Sequence, residues 1–193
     1  MTPLPSDQWD PALQHVIDDM NGRPLNIHCL LANHPELLKA WWNYRMYLVR
    51  GGDLPQRDCE LVILRISVLT RKWYEWSAHV VRGLAAGMSL EEIERVAAGP
   101  AASGWGEKDS TLLSAVDSLF NIRRIDSATL TSLKTYFSGQ QIMDLISIHG
   151  MYVTIACMIG TWEIPIEDAV ASCLPGDVTE ESFAKLISAT HGN

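Results

Sequence analysis

The sequence predicts an all-α protein, a single-domain helical bundle. Three observations support this prediction. First, apolar residues recur at helical spacing in most segments. Second, these segments are separated by proline, glycine and capping-box signals. Third, no segment alternates apolar and polar residues over the length of a strand. The 193 residues are enough for one domain with a sizeable core. We expect residues 1–193 to form this domain, with 1–22 and 176–193 as peripheral terminal segments.

The first predicted helices are separated by proline and glycine. Pro35 can occupy the first position of a helix that "ELLKAWWNYRMYLV" continues as far as Gly51. Pro55 opens the next helix, which contains "QRDCELVILRISVLTRK". A third helix is expected from about Tyr74 to Gly87, because its apolar positions follow helical spacing.

Capping signals predict the helices of the second half. In a capping box, a serine side chain and a Glu or Gln three residues later satisfy each other's free backbone N–H groups. The further predicted helices are one capped by "SLEE" at Ser89, one over "EKDSTLLSAVDSLFNI", one capped by Asp126 or Ser127 and ending at Tyr136, one over "IMDLISIHGMYVTIACMIG" after "SGQQ", and one over Thr179–Thr190.

Composition limits the partners and the compartment. A formal net charge of -8 disfavours nucleic acid and anionic membrane, which both attract basic surfaces. No uninterrupted apolar run approaches the roughly 20 residues that span a bilayer, and the start lacks a secretion signal. We therefore expect a cytoplasmic protein. Four scattered cysteines, Cys29, Cys59, Cys157 and Cys173, fit reduced core thiols better than a disulfide framework.

The segment "KWYEWSAHVVRG" carries the strongest chemical signal. Glu75 and His79 lie four residues apart and Arg82 follows three later, so a helix places them on one face. A carboxylate beside an imidazole can fix its tautomer and raise its pKa, which makes an acid/base pair. Glu60 is the expected third member, because it lies in an apolar stretch of the preceding helix where an unpartnered charge is costly.

Six residues are candidates to line a substrate pocket: His34, Trp42, Tyr74, Arg82, His149 and Tyr152. Each of the histidine and aromatic residues also has an ordinary structural interpretation as a satisfied core histidine or a packed aromatic ring. Arg82 can equally be a surface residue, and a Glu–His pair at this spacing is most often a solvated helix pair. We expect no bound metal or cofactor, since one histidine and two carboxylates lack the spacing of common metal sites.

The stretch from Leu54 to Gly99, with weaker agreement in "NHPELLKAWWNY" and "QQIMDLISIHGMYVTIACMIG", resembles the carboxymuconolactone decarboxylase and alkyl hydroperoxidase D-like (AhpD-like) superfamily. The resemblance implies about six helices and assembly into dimers, trimers or hexamers, with the site near the subunit contacts. The peroxidase branch has a Cys-x-x-Cys pair followed by a histidine, together with a relay glutamate on the preceding helix. Here His79 and Glu60 match the histidine and that glutamate, whereas Lys72 and Glu75 replace the cysteines.

Loss of the dithiol disfavours thiol peroxidase chemistry, which needs an attacking thiolate and a resolving partner. The decarboxylase branch has a Glu-x-x-x-His arrangement that "EWSAH" reproduces. The resemblance therefore implies a cofactor-independent lyase that acts on a small carboxylated or lactone-type cyclic metabolite. In this hypothesis His79 delivers a proton, Glu75 orients His79 and Glu60 relays protons to solvent.

Three alternatives stay open at this stage. A hydratase, dehydratase or isomerase can use the same residues. A metal enzyme is a weaker possibility, because one histidine and two carboxylates lack the spacing of common metal sites. A non-catalytic, oligomeric binding protein needs none of these side chains, although buried charges without a role are costly.

Overall fold

A computed structural model describes residues 1–189, without the side chains at positions 50 and 51. Every regular element in this range is helical. After two 3₁₀ turns, Ser6–Gln8 and Pro11–Leu13, the helices are α1 Gln14–Asp19, α2 Asn26–Leu31, α3 Pro35–Met46, α4 Gln56–Thr70, α5 Trp73–Ala85, α6 Leu90–Ala98, α7 Glu107–Ile122, α8 Ser127–Leu133, α9 Gly139–Trp162, α10 Asp168–Ala171 and α11 Glu180–Ala189. The all-α prediction is therefore confirmed.

Helix α4 is the centre of the bundle. Its residues from Asp58 to Val68 are all buried, and it packs against α5, α6, α7 and α9. Such all-round burial explains why its sequence is apolar without a clear polar face. Polar groups on α4 consequently lie inside the protein, and each needs a partner there.

A tight turn joins α4 to α5. Arg71 adopts a left-handed conformation with φ of 55°, and its N–H bonds to the carbonyl of Val68 at the end of α4. Lys72 then begins the turn into α5. This helix hairpin places the inward face of α5 directly against α4.

The capping signals agree with the structure. Ser89 caps α6 with Glu92, and Ser138 caps α9 with Gln141, both as reciprocal capping boxes. Asp126 caps α8, which ends at Leu133 before the predicted Tyr136.

Helix α3 ends earlier than the sequence indicates. Its regular part stops at Met46, and Tyr47–Gly51 form a π-helical turn, whereas one continuous helix to Gly51 was expected. Wider π turns of this kind often occur beside functional sites. The expected final helix over Thr179–Thr190 is observed as Glu180–Ala189, and Thr190 lies outside the described residues.

The terminal segments contribute to the core. Leu13 and Val16 are fully buried, and Phe183 of α11 stacks on Trp76 of α5 with ring centroids 5.1 Å apart. Segment 1–22 and the described part of segment 176–193 both supply buried apolar side chains. Their helices are short, so this packing is what holds them in place.

Helix α9 has the length and apolar character of a membrane-spanning segment. Its most apolar window has a mean hydropathy of 1.7, but 56% of that window is buried inside the protein. It also buries Asp144 and His149. These features fit the core helix of a bundle, and the cytoplasmic location stays a prediction.

Candidate functional site

Two neighbouring helices bring a buried carboxylate and a histidine together. Glu60 of α4 and His79 of α5 are 2% and 3% exposed, and Glu60 Oε2 lies 2.6 Å from His79 Nδ1. Gln56, one turn before Glu60, donates from Nε2 to Glu60 Oε1 at 2.7 Å. Both oxygens of this buried carboxylate therefore have a hydrogen-bond partner.

The surroundings fix the charge state of this pair. Burial raises the pKa of Glu60, but His79, Arg82 and Gln56 outweigh it and bring the pKa below its ordinary value. Burial lowers the pKa of His79, and the attraction of Glu60 offsets this only in part. At neutral pH the pair is therefore a carboxylate and a neutral imidazole, whose Nδ1–H donates to Glu60 and whose Nε2 keeps its lone pair.

Two other side chains lie close to the imidazole ring of His79. Arg82 Nη1 lies 3.5 Å from His79 Nε2, which is a long and weak contact. The ring of Tyr152 from α9 meets the imidazole edge-on with centroids 5.1 Å apart. Among residues 1–189, Arg82 has no carboxylate within salt-bridge distance, so its charge is not neutralised by a direct partner.

Glu75 does not orient His79, contrary to the sequence-based expectation. Both of its oxygens are buried and have no hydrogen-bond partner among the described residues. Burial raises the pKa of Glu75 to about 8, although the positive charge of Lys72 acts in the opposite direction. Glu75 is therefore mainly a neutral carboxylic acid at pH 7, and the residue that positions His79 is Glu60.

A cavity of about 330 Å³ lies on the Glu60 side of the pair. This volume is at the lower end of the range for small-molecule sites. Its walls combine charged and apolar groups from five helices and the π turn: Asp19, Met20, Asn21, Arg45, Leu48, Val49, Gln56, Cys59, Glu60, Ile63, Arg82, Ile148 and Tyr152.

A second cavity of about 40 Å³ lies on the His79 side. Glu75 and His79 form part of its wall, and Arg45, Arg82 and Tyr152 line both cavities. The Glu60–His79 pair therefore lies between a larger and a smaller space that share these three side chains.

Two of the predicted pocket residues, Trp42 and Tyr74, make contacts that position neighbouring residues. Trp42 is fully buried, donates from Nε1 to Asp19 Oδ2 at 2.7 Å, and packs under the guanidinium of Arg45 at 4.8 Å. Tyr74 lines the small cavity, but its hydroxyl lies 2.5 Å from Glu167 Oε1 and 3.2 Å from the backbone nitrogen of Ile27. These contacts give both residues structural roles in positioning their neighbours.

Two other predicted residues are not brought to the site. His34 is exposed and caps α3, where its Nδ1 accepts a hydrogen bond from the Leu37 backbone at 3.3 Å. His149 is buried on α9 and lines neither cavity, and its Nε2 has no partner among the described residues. Helical spacing places His149 and Tyr152 on the inner face of α9, but it cannot show that Tyr152 lines a cavity and His149 does not.

The structure adds residues that the sequence did not single out. Arg45 lines both cavities, and His28 of α2 packs against Trp41 and Trp42 beside the small one. The contact of Gln56 with Glu60 could have been predicted from the sequence, since Gln56 lies four residues before Glu60 on the same helix face. The approach of α2 and α3 to α5 is a tertiary feature with no comparable local signal.

The described residues hold no group of three or more His, Cys, Asp or Glu side chains arranged for a metal ion. Cys59 is the one cysteine on a wall of either cavity. Burial, together with Glu60 and Asp58, raises the pKa of its thiol to about 12. Cys59 is thus a poor source of thiolate at neutral pH.

The sequence and the fold both have known relatives. The sequence model of the Carboxymuconolactone decarboxylase family matches residues 35–118, which include Glu60, Glu75, His79 and Arg82. No curated protein sequence gives a significant match.

Three solved structures share the fold. An uncharacterized peroxidase-related protein from Ralstonia eutropha JMP134, described as an alkylhydroperoxidase AhpD core, has a TM-score of 0.72 and 18% identity over 86% of this chain and 88% of its own. A protein of unknown function from Agrobacterium tumefaciens has a TM-score of 0.65 and 21% identity over 72% of this chain and 97% of its own. A variant of the debrominase Bmp8 in complex with 2,3,4-tribromopyrrole has a TM-score of 0.74 and 15% identity over 89% of this chain and 94% of its own.

At these identities the structures establish the fold and nothing of the chemistry. The family match supplies the sequence relationship, and the cavity residues on α4 and α5 lie within the matched segment. Residues 35–118 of this chain match the Carboxymuconolactone decarboxylase family, and the fold of the chain is similar to that of AhpD-like structures.

Proposed function

We propose that the protein is a cofactor-independent carbon–carbon lyase of the decarboxylase type, acting on a small carboxylated or lactone-type cyclic metabolite. The observation that carries this proposal is the buried Glu60–His79 pair, 2.6 Å apart, between two cavities that share two arginines. The pair supplies acid/base chemistry, and the arginines supply an anion site. Neither requires a redox group.

Arg45 and Arg82 favour an anionic substrate. Both guanidinium groups line the two cavities, and guanidinium pairs with carboxylates through parallel hydrogen bonds. Because Arg45 is only 9% exposed, pairing with its guanidinium is stronger than on an open surface. The larger cavity of about 330 Å³ limits the substrate to a small molecule.

The protonation states of Glu75, His79 and Glu60 support a different role for each side chain in the reaction. When the bond between the ring carbon and the carboxylate breaks, its electron pair stays on the ring carbon and spreads to the lactone carbonyl as an enolate, while the carboxylate leaves as carbon dioxide. The neutral carboxyl of Glu75 then gives its proton to that carbon and becomes a carboxylate. His79 takes up a replacement proton from solvent at Nε2, stabilised by Glu60, and passes it to Glu75.

Thiol peroxidase activity is not proposed. Lys72 and Glu75 replace the cysteine pair of the peroxidase branch, and the thiol of Cys59 has a pKa raised to about 12. Peroxide reduction needs an accessible thiolate with a resolving partner. Cys59 offers neither at neutral pH.

An isomerase that shifts a double bond beside a carbonyl is the second candidate. One observation favours it: a neutral base, His79, and a neutral acid, Glu75, line the same small cavity. Removal of a proton by one group and its return by the other would move the double bond without loss of carbon.

Proton NMR in deuterated water tests both candidates. The protein is incubated with carboxylated lactones and with 2-keto and β-keto acids, alongside His79→Ala and a control, Glu94→Gln, which changes an exposed carboxylate on α6. Loss of a carboxylate with deuterium at the same carbon, abolished by His79→Ala alone, supports the lyase. Deuterium exchange without loss of carbon supports the isomerase, and turnover that survives His79→Ala contradicts both.

Assembly into a homo-oligomer, of two, three or six subunits, also stays a proposal. Met143 and Ile146 on α9 are 68% and 44% exposed, which is high for apolar side chains on one helix. An apolar surface of this kind supports burial against another copy of the chain. Sedimentation analysis of the native protein measures the subunit number directly.

A further inference from the structure

We propose that the small cavity beside Glu75 is a carboxylate-binding subsite, in which Glu75 and Arg82 hold the carboxyl group of the substrate while its ring lies in the larger cavity. This inference rests on the proposed function for the identity of the substrate. It adds where the carboxylate lies and which side chains select it.

The volumes of the two spaces separate the parts of the substrate. The small cavity measures about 40 Å³, and a water needs roughly 10–15 Å³ by this kind of measure. The small cavity therefore suits the smallest part of the substrate, its carboxylate group. The cavity of about 330 Å³ suits the ring.

The polar groups of the small cavity suit an anion. Glu75 is 2% exposed and forms part of the cavity wall, and both its oxygens are buried without a hydrogen-bond partner among the described residues. A buried polar group without a partner costs free energy, so a ligand that satisfies it is favoured. A neutral Glu75 can donate its O–H to a carboxylate oxygen, and Arg82 can pair with the same group.

The shared wall positions the bond that breaks. Arg45, Arg82 and Tyr152 belong to both cavities, so a substrate that spans them passes beside these three side chains. The rest of the small cavity's wall combines polar side chains, among them Glu75 and His79, with apolar ones such as Ala78 and Ile155.

Glu75 is the group that makes this subsite sensitive to alkaline pH. Lys72, just before α5, acts on Glu75 through its positive charge. The other titratable and charged side chains that line the small cavity with Glu75 are His28 from α2, Arg45 from α3, Tyr74, His79 and Arg82 from α5, and Tyr152 from α9.

These neighbours keep a constant charge between pH 7 and pH 9. Burial lowers the pKa of both His28 and His79, so they are neutral throughout this interval. Burial raises the pKa of Tyr152 to about 12 and that of Tyr74 further. Ionisation of Glu75, with its pKa of about 8, is therefore the change that alters the subsite.

Formate is the probe, because it has three heavy atoms and stays ionised in this pH range. Binding of carbon-13 formate to the full-length protein is followed by NMR at pH 7, 8 and 9. With a pKa of about 8, the neutral fraction of Glu75 falls about tenfold between pH 7 and pH 9, and the apparent Kd rises by the same factor. Glu75→Gln keeps a neutral hydrogen-bond donor, so its Kd stays level across the same range.

Two further variants complete the test. Arg82→Gln removes a charge from a partly exposed position and is expected to weaken formate binding about tenfold at pH 7. Glu94→Gln changes an exposed side chain that lines neither cavity, and it keeps the native affinity and pH profile.

Equal pH dependence in native protein and Glu75→Gln overturns the proposal, as does formate binding that is absent or indifferent to Arg82→Gln. This experiment needs no turnover, so it separates the subsite from the proposed reaction. Formate binding with the expected profile and no lyase activity would reject the reaction and keep the subsite. Lyase activity without the profile would do the reverse.

Discussion

Replacement of Glu75 by Gln is expected to stabilise the protein, and increasingly so as the pH rises. Glu75 is almost completely buried, and its pKa in the folded protein is about 8, against an ordinary value of 4.5. The unfolded chain therefore releases this proton at a much lower pH than the folded chain does. A group with a raised folded pKa contributes its full stability below the unfolded value and loses it as the pH rises through the folded value.

The magnitude follows from the difference between the two pKa values. Each unit corresponds to about 1.4 kcal/mol, and pH 7 lies about 2.5 units above the ordinary value of 4.5. The carboxyl therefore costs the folded state about 3 kcal/mol at pH 7 relative to pH 4. Because Gln has the same shape and no ionisation, Glu75→Gln removes this cost while leaving a polar group in the same cavity.

Urea unfolding followed by circular dichroism measures this effect. The quantity of interest is the free energy of unfolding of Glu75→Gln minus that of the native protein, because the other titrating groups cancel in the difference. It is expected to increase by about 1.4 kcal/mol per pH unit between pH 5 and pH 7.5 and to level off above pH 9. A difference that is constant over this interval refutes the buried, neutral Glu75, and Glu94→Gln provides the exposed control.

Two other predictions concern residues whose roles the structure redefines. Tyr74→Phe removes the hydroxyl bound to Glu167 and to the Ile27 backbone. It is expected to lower the free energy of unfolding, measured in urea, by about 1–3 kcal/mol. Formate binding, measured by the NMR titration, is expected to stay unchanged. Large loss of formate binding would instead place the Tyr74 hydroxyl in the ligand site. Cys59 is buried with a pKa of about 12, so iodoacetamide at pH 7.5 should alkylate it far more slowly than the exposed Cys157, as mass spectrometry of the peptides reports. Faster labelling of Cys59 would contradict this and reopen thiol chemistry.

Much of the fold follows from local sequence signals. The capping boxes at Ser89 and Ser138 set the starts of α6 and α9 within a residue, because their side chains satisfy backbone groups that are close in the chain. The π turn after Met46 was not predicted, since the apolar pattern continues through it. Its path depends in part on Tyr47, whose hydroxyl bonds to Asp144 of α9 at 3.1 Å, a contact nearly a hundred positions away.

The candidate site was predictable in its membership and less so in its geometry. The cost of an unpartnered charge on an apolar helix identified Glu60, and the structure pairs it with His79. Helical spacing also placed Glu75 beside His79, but spacing cannot tell which of two carboxylates turns towards an imidazole. That choice depends on how α4 packs against α5. The approach of Arg45 from α3 is likewise a tertiary feature that local sequence does not indicate.

The central claim is that Glu60 and His79 form a carboxylate–neutral imidazole pair at the pH at which the protein works. Nitrogen-15 NMR of the histidine side chains in the full-length protein tests it, with His79→Ala used to assign the signals and Glu60→Gln to remove the carboxylate. The structure predicts that at pH 7 His79 carries its proton on Nδ1 and a lone pair on Nε2, and that Glu60→Gln changes the Nδ1 signal. An imidazolium at pH 7, or a proton on Nε2 that is indifferent to Glu60→Gln, would contradict the account.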